Sequence, residues 1–459
     1  MFLRKDTLQN IFLIILATTV SFNGSINPIL IQISSINFII FFLLCLRNSE
    51  LVEKIKENYL INRIFFIFFL IYISFLIIQI IPLPLNLIEI IAPHNYDLYT
   101  SIKIDKQFWS LSIDPSNSYF RILNCINFLI IFLSFPVLFN RSKHLMKFLF
   151  FLCLFGFCHA VFATYWMLIG NPSNFLINKI HYLNASTGFF VNRSVFATFL
   201  FLCAFSGLYY IVLYFQKNKI TDFNFIEQLK SRVFFIRIFI IFISIGILTS
   251  WSRAVNFSYM LILFAFLFYS KVFFKKYINP LSSIIIFILI FDVCVMATIF
   301  GNAKLIERYT ETSILRESIR IDLHSFGIDQ FKNFWLFGYG SDAFGQVFKN
   351  YYIFPEGLNT NTLANRVHND GIELLGEIGV SGSLILFPLF VIYLKTMFKD
   401  VKQKKQLARF TLLSLLLLII FIQSLVDFSL HTPGISVLLM SILSIGLIDL
   451  RNKNLIPRL

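Results

Sequence analysis

Twelve apolar runs, most of them near the length a helix needs to cross a bilayer, set the limits on what this chain can fold into. A helix needs about 20 apolar residues to span the hydrocarbon. Such runs fall at about 8–22, 26–46, 64–91, 119–139, 147–170, 195–215, 233–249, 255–274, 281–300, 372–394, 410–427 and 433–450. The run 64–91 is over-long and carries Pro82 and Pro84, so it is predicted to bend near the membrane surface. Composition agrees: of 459 residues 57% are apolar, 59 are Phe, and only 14% are charged, against about 25% charged in an ordinary soluble domain. A soluble enzyme of this size could not bury that much apolar surface. The expected fold class is an all-α polytopic membrane protein with about twelve transmembrane helices and one large, partly helical outer loop.

Orientation follows from Lys and Arg. With the N-terminus inside, the inner stretches hold 26 of the 39 basic residues, and the short outer stretches hold 6. The remaining seven lie in 301–371, a segment too long for the positive-inside rule to apply. Both termini are therefore expected inside. The chain divides into 1–300 (nine transmembrane helices with short loops), 301–371 (the large outer loop) and 372–459 (three more helices and an inner C-terminus), all one integrated membrane domain. The loop's first half, ERYTETSILRESIRIDLHSFGIDQFKNFW, reads as helical, and its Trp, Phe and Tyr content predicts a folded segment.

Several function classes drop out. The net charge of +15 comes with no basic cluster interleaved with aromatics on a soluble module, so nucleic acid is not an expected partner. Cys45, Cys125, Cys153, Cys158, Cys203 and Cys294 all lie in apolar runs, which encodes neither a disulfide framework nor a thiolate metal site. MFLRKD followed by NIFLIILATTV imitates a signal peptide, but without a small-x-small cleavage site it reads as the first span. There is no Walker A loop, HExxH, EF-hand loop or GxGxxG after a strand.

The residues able to carry chemistry cluster near the outer ends of spans. Arg253, in LTSWSRAVNF, is either an interfacial anchor beside Trp251 or an anion-binding arginine facing the bundle. Arg193, in STGFFVNRSVFATF, has an equivalent position. Arg316 and Arg320 are one helical turn apart and share a face able to grip a phosphate, with ion pairs to Glu317 and Asp322 as the alternative. His368 precedes a span with Arg366 and Asp370 two residues to either side, where an imidazole can take a hydroxyl proton at neutral pH. Glu373 and Glu377 follow inside an apolar helix, which is costly unless they face a polar cavity. Asp292, His159 and Asp427 read as packing or helix-bonding residues, and His94 and His431 as loop residues with no part in function. An outer-face enzyme that pairs anion-binding arginines with a histidine base should gather Arg253, Arg320 and His368 beneath the outer loop. A secondary transporter or flippase using Asp292, His159 and Arg253 should gather its polar groups at the midplane, and a non-catalytic scaffold should gather none.

Three segments fall in a telling order: TSWSRA closing one span, RIDLHSFGIDQFKNFWLFGYG in the loop, and VHNDGIELLGEIGVSG entering the next span. With QIIPLPLNLIEIIAP, LSIDPSNSY, TGFFVNRSVFA and SLVDFSLHTPG, this pattern resembles the O-antigen ligase and polymerase family of bacterial membrane glycosyltransferases. His324 departs from it, since the family commonly has Trp there. The resemblance implies glycan transfer at the periplasmic face of the bacterial inner membrane, from undecaprenyl diphosphate to an acceptor sugar, with no metal or other cofactor. The acceptor would be lipid A–core for a ligase, or a second lipid-linked glycan for a polymerase of O-antigen or exopolysaccharide repeat units. It implies Arg253, Arg320 and Arg193 as the phosphate-facing set and His368 as the base. Arg316, Arg366, Glu373 and Asp370 are expected to contact substrate.

Overall fold

The computed structural model describes residues 3–101, 106–172, 182–218, 232–274, 281–292, 294, 313–352, 364–398 and 404–448. It is an all-α bundle. Among the described residues, eight helices are long and apolar enough to cross a membrane: Pro28–Leu46, Arg63–Ile80, Pro115–Leu138, Ser142–Leu168, Arg193–Asn218, Arg232–Thr249, Arg253–Val272 and Asp370–Phe398. The other four expected spans fall on shorter helices, Lys5–Ser21, Leu281–Asp292, Ala408–Ser424 and Pro433–Leu447. The over-long run ends at Ile80, and its Pro-containing remainder forms a two-residue strand, Leu83–Pro84, and a separate helix, Leu85–Ile91. That strand pairs antiparallel with Phe108–Trp109.

Helix starts are legible in the chain. Asn27 accepts a hydrogen bond from Ile29 N at 3.0 Å ahead of Pro28, and Asp114 accepts from Asn117 N at 3.1 Å ahead of Pro115. Both pair a capping side chain with a proline in the first turn, where no amide partner is lost. The 193–218 helix is the hub, buried along its whole apolar window, whereas only a third of the 28–46 window is buried. Small residues let its neighbours approach. A Cβ added to Gly207 would lie 2.7 Å from Cys153 Sγ, and one added to Gly246 would lie 2.7 Å from Leu200 Cδ1. Cys45, Cys125, Cys153 and Cys203 are buried among the helices, while Cys158 and Cys294 are exposed.

Residues 313–352 fold as expected around their own aromatic cluster. The helix Ser313–Asn333 and the short helix Phe344–Tyr351 enclose Leu323, Phe334, Tyr339, Phe344 and Phe348, with Val367. The expected tenth span is not continuous. Gly379 (φ 60°, ψ −167°) breaks the 370–398 helix, and residues 335–340 dock into the break. Tyr339 N donates to Gly376 O (2.9 Å), Val380 N to Trp335 O (2.8 Å) and Ser381 N to Leu336 O (3.0 Å). Gln79 Nε2 donates to Phe337 O and Glu377 O at 2.8 and 2.9 Å. A broken helix at membrane depth is tolerated where neighbours satisfy the freed backbone groups in this way.

Candidate active site

The Ser313–Asn333 helix and the ends of four other helices line a cavity of about 230 Å³. Asn192, Arg193 and Ser194 open the 193–218 helix, and Ser252, Arg253 and Ala254 open the 253–274 helix. Arg320 comes from the 313–333 helix, His368 from the turn before the 370–398 helix, and Asp427 from the turn after the 404–424 helix. Local chemistry fixes these ends. Asn192 Oδ1 accepts from Ser194 N (2.7 Å), and Ser250 Oγ accepts from Ser252 N (3.2 Å) after a reversal at Trp251, whose φ is 59°. The Arg193 guanidinium lies over the Tyr182 ring, 5.1 Å from its centroid.

His368 also has a left-handed backbone, φ 62°, a conformation that costs a residue with a Cβ roughly 1–2 kcal/mol. Its neighbours hold it there. Asn369 caps the following helix, accepting from Ile372 N (3.0 Å), and donates through Nδ2 to Leu425 O (2.8 Å). The imidazole stands edge-on to Phe428, with centroids 4.8 Å apart. Burial, then the nearby Arg320 charge, push its pKa below the ordinary value, against the opposing pull of Asp427 and Glu373. It is therefore neutral at pH 7 and able to accept a proton.

Asp427 ties three helix ends together. Its Oδ2 accepts from Ser194 Oγ (2.6 Å) and Ser429 Oγ (2.7 Å), and Ser194 Oγ bonds Ser252 Oγ (2.8 Å). Its backbone carbonyl accepts from Asp370 N (3.2 Å). Sequence reasoning read it as a packing or helix-bonding residue, and the ties it makes between helix ends are of that kind; its place beside the cavity was not foreseen.

Arg366, Glu373 and Asp370, expected among the substrate contacts, do not line this cavity. They belong to a buried charge network behind the His368 turn. Arg366 Nη1 donates to Asp342 Oδ1 (2.7 Å) and Glu373 Oε1 (2.8 Å), Val367 N donates to Glu373 Oε2 (2.9 Å), and Asp342 N donates to Glu377 Oε1 (2.8 Å). The reason is positional: Glu373 lies in the first turn of its helix, fully buried, and reaches back to the turn before it. At the centre is His431, which was read as a residue without function. Its Nδ1 pairs with Asp370, and its Nε2 lies 3.4 Å from Glu377 and 3.6 Å from Glu373. Burial would lower its pKa, but Glu373, Glu377 and Asp370 raise it to about 10. Burial likewise opposes charge on Asp342, yet Arg366 and Arg121 hold its carboxyl down at about 2. Asp370 and His431 also face a second cavity of about 280 Å³ whose other walls are almost all apolar.

Asp342, Glu377 and His431 bring potential ligand atoms within 4.8 Å of one another. Two of the three already have partners within the chain, Asp342 in Arg366 and His431 in Asp370. The remaining candidates lie elsewhere. The Arg316 side chain falls outside the described residues. His159 is buried against Phe155, Phe189 and Phe199 and bonds Ser21 Oγ (3.2 Å). Asp292 accepts from Ser244 Oγ (2.6 Å), and His94 packs on Tyr351 and Phe334. Neither His159 nor Asp292 lines the cavity that holds Arg253, so among the described residues that cavity does not gather the set a transporter would use.

What this cavity can do chemically is hold an anion among three arginines while a neutral imidazole accepts a proton beside it. No curated protein matches the chain. Residues 238–387 match the family model described as O-antigen ligase, a stretch that carries Arg253, Arg320, Arg366 and His368 but not Arg193, Asp427 or His431. Over residues 238–387, then, the chain is similar to the O-antigen ligase family.

Proposed function

We propose that the protein transfers a glycan from undecaprenyl diphosphate to a sugar hydroxyl of lipid A–core, at the periplasmic face of the bacterial inner membrane and with both its termini cytoplasmic. The observation that carries this reading is the shared cavity of Arg193, Arg253, Arg320 and His368. The acceptor oxygen attacks the anomeric carbon as His368 takes its proton, forming the new C–O bond. The bond from the anomeric carbon to the diphosphate breaks, and its electron pair leaves on the diphosphate oxygen. That developing charge meets the arginines, which stay ionised and present paired donors. In this reading Arg316 extends the phosphate grip along its helix face.

Two experiments test it. Purified His368→Ala should bind donor yet lose about 10²–10⁴-fold in transfer rate; near-wild-type transfer by the folded variant removes His368 from the mechanism. Deletion in the native host should leave long chains stranded on the lipid carrier and bare lipid A–core at the surface. Core carrying a single repeat unit would instead identify a polymerase.

A further inference from the structure

The turn that presents His368 is clamped from behind by one carboxylate. Glu373 is fully buried, and both its oxygens reach the two residues preceding His368: Oε1 accepts from Arg366 Nη1 at 2.8 Å, and Oε2 from Val367 N at 2.9 Å. On the other side of Glu373, His431 Nε2 approaches Oε1 at 3.6 Å while its Nδ1 pairs with Asp370, two residues after His368. Arg366 is in turn fixed by Asp342 at 2.7 Å, and Asp342 N by Glu377 at 2.8 Å. The residues flanking a left-handed His368 are thus tied to one buried charge, although Glu373 itself does not line the cavity.

We propose that Glu373 is a positioning residue: through Arg366 and the Val367 amide on one side, and His431 and Asp370 on the other, it sets where the His368 ring stands in the cavity. The assignment rests on His368 being the base, and it gives a role to a carboxylate that would otherwise be an expensive buried charge. A group held away from the reacting atoms acts here by geometry, and a displacement of about 1 Å at a base can cost 10²-fold in rate.

The test compares Glu373→Gln and Glu373→Asp with wild type in glycan transfer from a lipid-linked diphosphate donor, alongside donor affinity and thermal unfolding. Gln cannot accept from Arg366 and Val367 N with both its terminal atoms. Asp keeps the charge against Arg366 and His431, so it serves where the Gln variant does not fold, but it is one methylene too short to hold both partners. Both should lower kcat by about 10²-fold while donor affinity stays near wild type, since the three arginines are untouched. The pH profile separates them. His368 faces Arg320 and His324 from the loop helix, Asp427 from the adjoining turn, and Glu373 itself. Losing the Glu373 charge should move the acid limb of kcat to lower pH, whereas Asp should leave the limb in place. Wild-type kcat in folded Glu373→Asp overturns the positioning role while leaving the base reading intact. Full transfer by His368→Ala overturns the base reading itself.

Discussion

Replacing Gly379 by Ala probes whether the break in the 370–398 helix builds the site. At φ 60° and ψ −167° the residue occupies a region essentially restricted to glycine, and a side chain there costs about 1–3 kcal/mol. Space adds to strain. A new Cβ would lie 2.6 Å from both Gly338 N and Leu336 O, backbone atoms that cannot rotate aside. The docked 335–340 segment would have to withdraw, giving up the bonds from Val380 N and Ser381 N at about 0.5–1.5 kcal/mol each. The combined loss of about 2–6 kcal/mol is a large part of a protein's net stability of roughly 5–15 kcal/mol. The same withdrawal would pull Asp342 away from Arg366 and Glu377, so transfer activity should fall along with stability. Gly170→Ala is the control: its φ is 85° but no atom lies within 4 Å of a Cβ there, so only the conformational term applies. The assay is unfolding of the purified protein in detergent together with glycan transfer. If Gly379→Ala melts no lower than Gly170→Ala and transfers at the wild-type rate, the docked loop is not what orders the site.

Arg253→Lys should impair transfer almost as much as Arg253→Ala, because lysine keeps the charge but loses the paired donors; complementation by Lys with failure of Ala would mark Arg253 as an interfacial anchor. Asp427→Ala frees Ser194 and Ser429 from a charge-assisted bond, at about 1.5–3 kcal/mol each, and should weaken donor binding; unchanged affinity would show that the arginines do not depend on this tie. His431 has a folded pKa raised to about 10, so its contribution to stability is complete below its unfolded pKa of about 6.5 and is lost as pH rises through 10. The melting temperature should accordingly fall across that window, and the slope should flatten in His431→Gln; an equal slope in the two proteins would dissociate His431 from it. Transfer should be lost as pH falls through a value below the ordinary imidazole range, since His368 is shifted down, and a limb at or above that range would contradict the burial seen here.

How much of this was legible in the chain depends on what each signal measures. Apolar length and Pro placement located the helices and the break after Ile80, because both act locally on the backbone. The docking of 335–340 against Gly379 was not legible, although GYG and GEIG were both visible, since nothing local says that two distant glycine segments will meet. Arg193, Arg253, Arg320 and His368 were identified one at a time by cost at membrane depth and by resemblance, and the fold brings all four to one cavity. Arg366, Glu373 and Asp370 carried the same chemical signal but face inward. Sequence shows that a buried charge must be compensated; it does not show whether a substrate or another side chain does it. His431 was overlooked for the converse reason, because a histidine in a short loop has no apolar context to make it look costly.

The two charge clusters treat their helix ends in opposite ways, and the difference bears on function. A helix N-terminus carries partial positive charge, so acidic residues stabilise its first turn and basic ones oppose it. The 370–398 helix follows the rule, with Asp370 and Glu373 in its first turn, and it carries the structural network. The 193–218 and 253–274 helices break it: each begins on arginine and has no acidic residue in its first turn. Both of those ends open on the same cavity, and Arg320 adds a third cation from the loop helix. Asp427, which lines the same cavity, takes hydrogen bonds from Ser194 and Ser429. An arrangement that gathers positive charge and two helix N-termini at one point is favourable around an anion. A diphosphate, whose charge grows as the glycosidic bond breaks, gains most from such a site at the transition state, and that is where stabilisation accelerates a reaction.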